Sequence, residues 1–139
     1  MTRVILDTGP LVAFLDRRGR HHEWASAQWG LIRPPFLTCE SVLAEACFLL
    51  AGKPGGLPLL FELLCRGMIS LPFRLEDHAE AVAKLIEKYS NIPMSLADAC
   101  LARMSELFPS GQVFTCDGDF RLYRKHGRQV IPLIAPDGL

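Results

Sequence analysis

Fifteen of the 139 residues are acidic, and most need no chemical explanation. Glu76, Asp77, Glu80 and Glu87 share a polar helix face, and Glu23, Glu106 and Asp137 sit in polar surroundings. Four others occupy expensive places. Asp7 ends the run Arg3-Val4-Ile5-Leu6, and Asp117 follows Val113-Phe114-Thr115. Glu45 lies in Val42-Leu43-Ala44-Glu45-Ala46-Cys47-Phe48-Leu49-Leu50 and Asp98 in Leu96-Ala97-Asp98-Ala99-Cys100-Leu101-Ala102, both apolar nearly all round a helix. An ionised carboxylate in such company is costly unless it is paired, protonated or bound to a metal. Neither helical acid has a cation three or four residues away, whereas Glu62 has Arg66 at i+4, an ordinary helix ion pair.

Taken singly, each acid has a plain alternative. Asp98 follows Ser95 at capping-box spacing, Asp7 precedes the turn-like Thr8-Gly9, and Asp117-Gly118 is a common turn dipeptide. Two acids at strand ends and two unpaired in helices together favour one shared pocket. Like charges gathered there repel and raise one another's pKa. A hard divalent cation removes that repulsion, and an all-oxygen carboxylate site suits Mg²⁺ or Mn²⁺ better than zinc. The chemistry that follows is phosphoryl: polarising a phosphate oxygen and activating a water for in-line attack.

The elements that would position these acids alternate. Arg3 to Leu6 reads as a strand stopped by the turn signature Asp7-Thr8-Gly9-Pro10, followed by a short helix from Leu11 to Leu15. Helices are expected over His22 to Leu31, from a Thr38 or Ser41 cap to Ala51, from Gly55-Gly56 to Arg66, over Glu76 to Tyr89, and from Ser95 to Leu107. In the fourth of these, Ala79, Val82, Ala83 and Ile86 form the apolar face. Strands are expected at Phe36 to Thr38, Met68 to Phe73, Gln112 to Thr115 and Val130 to Leu133. Strands separated by helices imply right-handed crossovers and a parallel sheet covered on both faces. In an open sheet of this kind, ligands gather at the carboxyl ends of the strands, where Asp7 and Asp117 fall.

Composition bounds the alternatives. Half the residues are hydrophobic, 22% are charged, and basic and acidic side chains balance at fifteen each. Disorder is excluded by that apolar content, and binding of nucleic acid by bulk charge by the neutrality. The length suits one domain over residues 1–139. Apolar runs of about ten residues are too short to span a bilayer, and no signal peptide precedes Asp7, so a cytoplasmic location is expected. Five cysteines form no CxxC pair and four histidines show no HxxxH or HExxH spacing, which disfavours a disulfide framework or zinc site.

The ordered set Ile5-Leu6-Asp7-Thr8-Gly9-Pro10-Leu11-Val12-Ala13, Ala44-Glu45, Ser95-Leu96-Ala97-Asp98-Ala99 and Thr115-Cys116-Asp117-Gly118-Asp119-Phe120 resembles the PIN-domain ribonucleases. It is closest to the VapC-like toxins of bacterial toxin–antitoxin pairs. The resemblance covers essentially the whole chain. It implies a three-layer α/β/α fold with a parallel sheet of about five strands, and a Mg²⁺- or Mn²⁺-dependent RNA phosphodiesterase. Carried onto this sequence, Asp7, Glu45, Asp98 and Asp117 would be the catalytic acids and metal ligands, direct or through water, with Asp119 a lesser member. Thr115 would orient Asp117, while Thr8 and Ser95 would serve as turn and cap. The implied partners are RNA, a small antitoxin inhibitor and a second copy of the chain.

Two basic clusters flank the acidic motifs: Arg17, Arg18 and Arg20 after the first, Arg121, Arg124 and Lys125 after the last. They would grip RNA phosphates or else serve as solubilising loop charges. Haloacid-dehalogenase-like phosphatases need a second Asp where Gly9 stands, and response-regulator receivers need an acidic pair where Leu6 precedes Asp7. The remaining alternative is a PIN-like module that binds RNA or protein without cutting. Leu57, Leu60, Phe61 and Leu64 fit either the core or a homodimer face.

Overall fold

The computed structural model describes residues 3–139. Strand β1 (Arg3–Leu6) leads into helix α1 (Thr8–Leu15), then α2 (His22–Leu31), β2 (Phe36–Leu37), α3 (Glu40–Leu50), α4 (Gly56–Cys65) and β3 (Ile69–Ser70). A 3₁₀ turn over Leu75–His78 precedes α5 (Ala79–Lys88), then α6 (Leu96–Leu107) and β4 (Gly111–Phe114). The chain ends with a 3₁₀ turn over Gly118–Arg121 and strands β5 (Arg124–Lys125), β6 (Gln129–Val130) and β7 (Leu133–Ile134). Five strands form a parallel sheet in the order β3-β2-β1-β4-β7, flanked by the six helices as a three-layer α/β/α fold. From β1 the chain winds outward to β2 and β3, then returns to lay β4 and β7 on the other side. The β1/β4 boundary is therefore a topological switch point, and the crevice outside its carboxyl ends is open to a ligand.

Aliphatic and aromatic side chains fill the sheet, as strands covered on both faces require. Ile5, Leu6, Val113 and Phe114 are inaccessible to solvent, and Phe36, Leu37 and Ile69 nearly so. Gly111 has to be small: a Cβ there would come within 2.9 Å of the Phe108 carbonyl oxygen and 3.0 Å of Ile5 Cδ1. Helix α6 lies on β1 and β4, and α1 packs against α2, α3 and α4.

Several boundaries depart from the sequence expectation, each for a local reason. Helix α1 starts at Thr8 rather than Leu11, because Asp7 caps it and Pro10 falls in the first turn, where its missing N–H leaves no bond unmade. Neither Thr38 nor Ser41 caps α3. Cys39 stands at that position without capping the helix through its side chain, and Thr38 Oγ1 instead donates to the Leu6 carbonyl oxygen at 2.7 Å, tying β2 to β1. The third strand is confined to Ile69–Ser70. Val130 to Leu133 is divided, Val130 pairing with Arg124 in an antiparallel β5–β6 hairpin while Leu133–Ile134 completes the main sheet. On α5, Val82 is buried and Leu85 and Ile86 partly so, but Ala79 and Ala83 stay exposed. The cysteines are all free, and among the described residues no helix is long and apolar enough to cross a membrane.

Candidate active site

Register brings the first and last acidic motifs together. Leu6 pairs with Phe114, so Asp7 and Thr115 leave neighbouring strands side by side. Asp7 Oδ1 accepts from the Thr8 N–H at 2.7 Å, and Oδ2 accepts from the Thr115 hydroxyl at 2.6 Å. That hydroxyl also accepts from the Asp117 N–H at 2.9 Å. Thr115 thus joins two acids through one oxygen, a larger part than orienting Asp117 alone. Asp117 Oδ1 in turn accepts from the Asp119 N–H at 2.9 Å, shaping the strand-end loop. Gly9 lets the start of α1 approach this loop, since a Cβ there would meet Cys116 Cβ at 3.1 Å.

Asp98 reaches the same crevice from α6. Ser95 caps that helix, its hydroxyl accepting from the Asp98 N–H at 3.0 Å. The carboxylate has a further partner: Tyr123, wholly buried, donates to Asp98 Oδ2 at 3.0 Å. Tyr123 is held edge-on by Phe120 and by Tyr89, each with ring centroids 5.1 Å away, and the Tyr89 hydroxyl accepts from the Arg124 N–H. Nothing in the spacing of the sequence marked Tyr123. Its signal was only an aromatic residue six positions beyond Asp117, among basic neighbours.

Electrostatics tie the acids into one group. Asp7 is 6% exposed, and burial, reinforced by the charges of Asp98 and Asp117, pushes its pKa up to about 7 despite the hydrogen bonds from Thr115 and Thr8. Asp98 is raised by burial and by Asp117, with Tyr123 and Ser95 opposing. Glu45 is raised by partial desolvation and by Asp98. The Tyr123 hydroxyl is driven well up by burial and by Asp98, with smaller contributions from Asp119 and Asp117. Among the described residues no ion pair reaches any of these acids, whereas Glu62 is paired with Arg66 at 2.8 Å as its spacing predicts.

Glu45 corrects one expectation. It is exposed, because Ala44, Phe48 and Leu49 share its solvent-facing side of α3, with Phe48 80% exposed. Apolar neighbours along a helix do not bury an acid when no other element covers that face. Glu45 nevertheless stands close enough to Asp98 to feel its charge.

The basic clusters divide. Arg17, Arg18 and Arg20 are exposed. Lys125 is 8% exposed, most of its side chain buried where the β5–β6 hairpin packs on α6. The guanidinium of Arg124 is taken up by the carbonyl oxygens of Arg121 and Tyr123, and that of Arg121 donates to the Leu139 carbonyl oxygen.

A hard cation fits the chemistry of this donor set: oxygen ligands throughout, carboxylates that repel one another, and a buried Thr8 hydroxyl beside Glu45 with no well-aligned hydrogen-bond partner. Among the described residues, no three His, Cys, Asp or Glu side chains stand close enough together to hold a metal ion between them. Asp7 is held by Thr8 and Thr115, and Asp98 by Tyr123, so a cation there would take few carboxylates directly and complete its shell with water. That suits Mg²⁺, which usually keeps several waters and takes one or two carboxylates directly.

The search of curated proteins returns no match. The family model of the PIN domain, whose members are generally nucleases that use divalent metals, matches residues 4–125. That span runs from β1 through the Asp117 loop to β5, and the chain belongs to the PIN domain family.

Proposed function

We propose that the protein is a Mg²⁺- or Mn²⁺-dependent endoribonuclease, a VapC-like toxin of a toxin–antitoxin pair. The observation that carries this reading is Asp7, buried beside Asp98 and Asp117 with its pKa lifted to about 7 and, among the described residues, no ion pair to neutralise the group. Asp7, Glu45, Asp98 and Asp117 would hold the metal directly or through water, with Asp119 at the edge. When bound, the cation offsets the carboxylates, polarises the scissile phosphate and activates the attacking water. Thr115 ties the Asp7 carboxylate to the backbone of Asp117. Tyr123 orients Asp98 through Oδ2, and Asp98 would take a proton from the attacking water, a task suited to a carboxylate of raised pKa. Arg17, Arg18 and Arg20 guide the RNA backbone toward the crevice. An antitoxin and a second copy of the chain are the expected protein partners. Exposed Phe48 and Phe61 supply apolar surface for them, and sedimentation reads the copy number.

The test is cleavage of a mixed RNA pool by the purified, partner-free protein with Mg²⁺, Mn²⁺ or EDTA, alongside Asp98→Asn. Discrete fragments that vanish with EDTA and in the variant are expected. A folded protein that neither cleaves RNA nor binds Mn²⁺ would return the reading to a non-cutting binding module.

A further inference from the structure

A cavity of about 490 Å³ opens at the C-terminal end of α1. Eight residues of helix separate it from Asp7 at the N-cap, a span of about 12 Å. Its apolar wall includes Phe14, Leu63 and Met68, and Arg17, His22 and Arg66 also line it. Phe14 is the last ring of an aromatic column. It stacks on Trp29 with centroids 4.0 Å apart and planes 2° from parallel, and Trp29 packs on Phe36 at 4.0 Å. An adjoining depression of about 360 Å³ shares Arg17 and adds Arg18 and Lys53. Arg66 is spent on Glu62 at 2.8 Å and Lys53 on Asp16 at 3.5 Å. Among the described residues, the guanidinium groups of Arg17 and Arg18 meet no carboxylate, so the rim carries positive charge without an internal partner.

A roomy apolar cavity with an aromatic wall and a few polar groups is the form of a small-molecule subsite. The unpaired guanidinium of Arg17 on its wall, with that of Arg18 in the adjoining depression, selects an anion attached to whatever enters. We propose that this cavity receives an unpaired base of the RNA strand, which packs on Phe14 and extends the aromatic column while Arg17 holds an adjacent phosphate. The inference rests on the ribonuclease reading and adds a base-binding subsite about one short helix away from the cleaved bond. Base stacking on an aromatic side chain tolerates any base, so this subsite selects single-stranded over paired RNA rather than one sequence.

The experiment uses the full chain carrying Asp98→Asn, to prevent cleavage, and single-stranded RNA oligonucleotides with one abasic residue walked along the strand. Affinity is read by fluorescence anisotropy. One abasic position should weaken binding about 5- to 150-fold, the equivalent of roughly 1–3 kcal/mol for one stacked base. Phe14→Leu should weaken binding of intact RNA by a similar factor and erase the abasic effect, the non-additivity of groups in contact. Arg17→Gln, at an exposed site with no internal partner, should fold normally and reduce the salt dependence by about one phosphate contact. The proposal is overturned if RNA does not bind, or if no abasic position matters. It is also overturned if the abasic effect survives Phe14→Leu, or if RNA binding ignores both changes while an acidic, apolar peptide raises Tm, which would assign the cavity to a protein partner. Mn²⁺ binding by the unaltered chain is measured in parallel. Its absence would refute the nuclease reading, whereas base independence with Mn²⁺ bound refutes the cavity alone.

Discussion

Replacing Asp7 with Asn should make the metal-free protein more stable at pH 8 while abolishing metal binding and cleavage. Burial raises the Asp7 pKa from 3.8 to about 7, so between those values the native state holds a proton that the unfolded chain has released. The stability this proton contributes is complete below about pH 4 and is lost as pH rises through 7. At 1.36 kcal/mol per tenfold change in proton affinity, the ionised carboxylate costs about 4 kcal/mol at pH 8. Asn removes the charge. Its one carbonyl oxygen, however, cannot replace both carboxylate oxygens, which accept from Thr8 and Thr115. The unpaired donor costs about 1–2 kcal/mol. The net gain is about 2–3 kcal/mol, or about 7–10 °C in Tm for a chain of this length. Thermal unfolding followed by circular dichroism in EDTA reads it directly. At pH 8 the variant should melt higher; at pH 4 the advantage should vanish and leave a slight deficit. Mn²⁺ should raise Tm of the parent and leave the variant unmoved. A variant no more stable than the parent at pH 8 would refute the claim that Asp7 is buried at electrostatic expense.

Two further changes probe how the acids are held. Tyr123→Phe removes the donor to Asp98 Oδ2, so the Asp98 pKa should rise further and the acidic limb of the pH–rate profile should move to higher pH, with unchanged limbs counting against the contact. Gly9→Ala places a Cβ 3.1 Å from Cys116 Cβ and should push the Asp117 loop outward. Mn²⁺ affinity should then fall at least about tenfold, while calorimetric stability changes by only about 1 kcal/mol because helix propensity offsets the crowding.

Much of this arrangement is written locally in the chain. Short aliphatic runs ending in Asp7 and Asp117, with helices between them, leave little choice but a parallel sheet whose strand ends carry the acids. Ser95 and Asp98 are legible as a cap for the same reason, since their bond spans three residues. What escaped the sequence depends on contacts between distant segments. The Tyr123 to Asp98 bond crosses 25 residues and the Thr38 to Leu6 bond 32, and no periodicity encodes either. The exposure of Glu45 turned on which helix covers α3, a tertiary matter. The division of Val130 to Leu133 between two sheets turned on a hairpin whose reversal takes positive φ at His126 and Gly127.

The bond between Thr115 and Asp7 closes a loop of 108 residues, and that span has a consequence for the order of synthesis. Asp7 emerges first and Asp98 late, but the residue that joins Asp7 to the Asp117 loop, and the tyrosine that steadies Asp98, belong to the last quarter of the chain. At about 5–20 residues per second, roughly 5–20 s separate the appearance of the first acid from that of Thr115. Until then the nascent chain carries only scattered carboxylates. On the proposed ribonuclease reading, the site stays unassembled, and the message being translated stays uncut, until Thr115 and Tyr123 have followed Asp7, and any product ending before Tyr123 would lack the assembled centre.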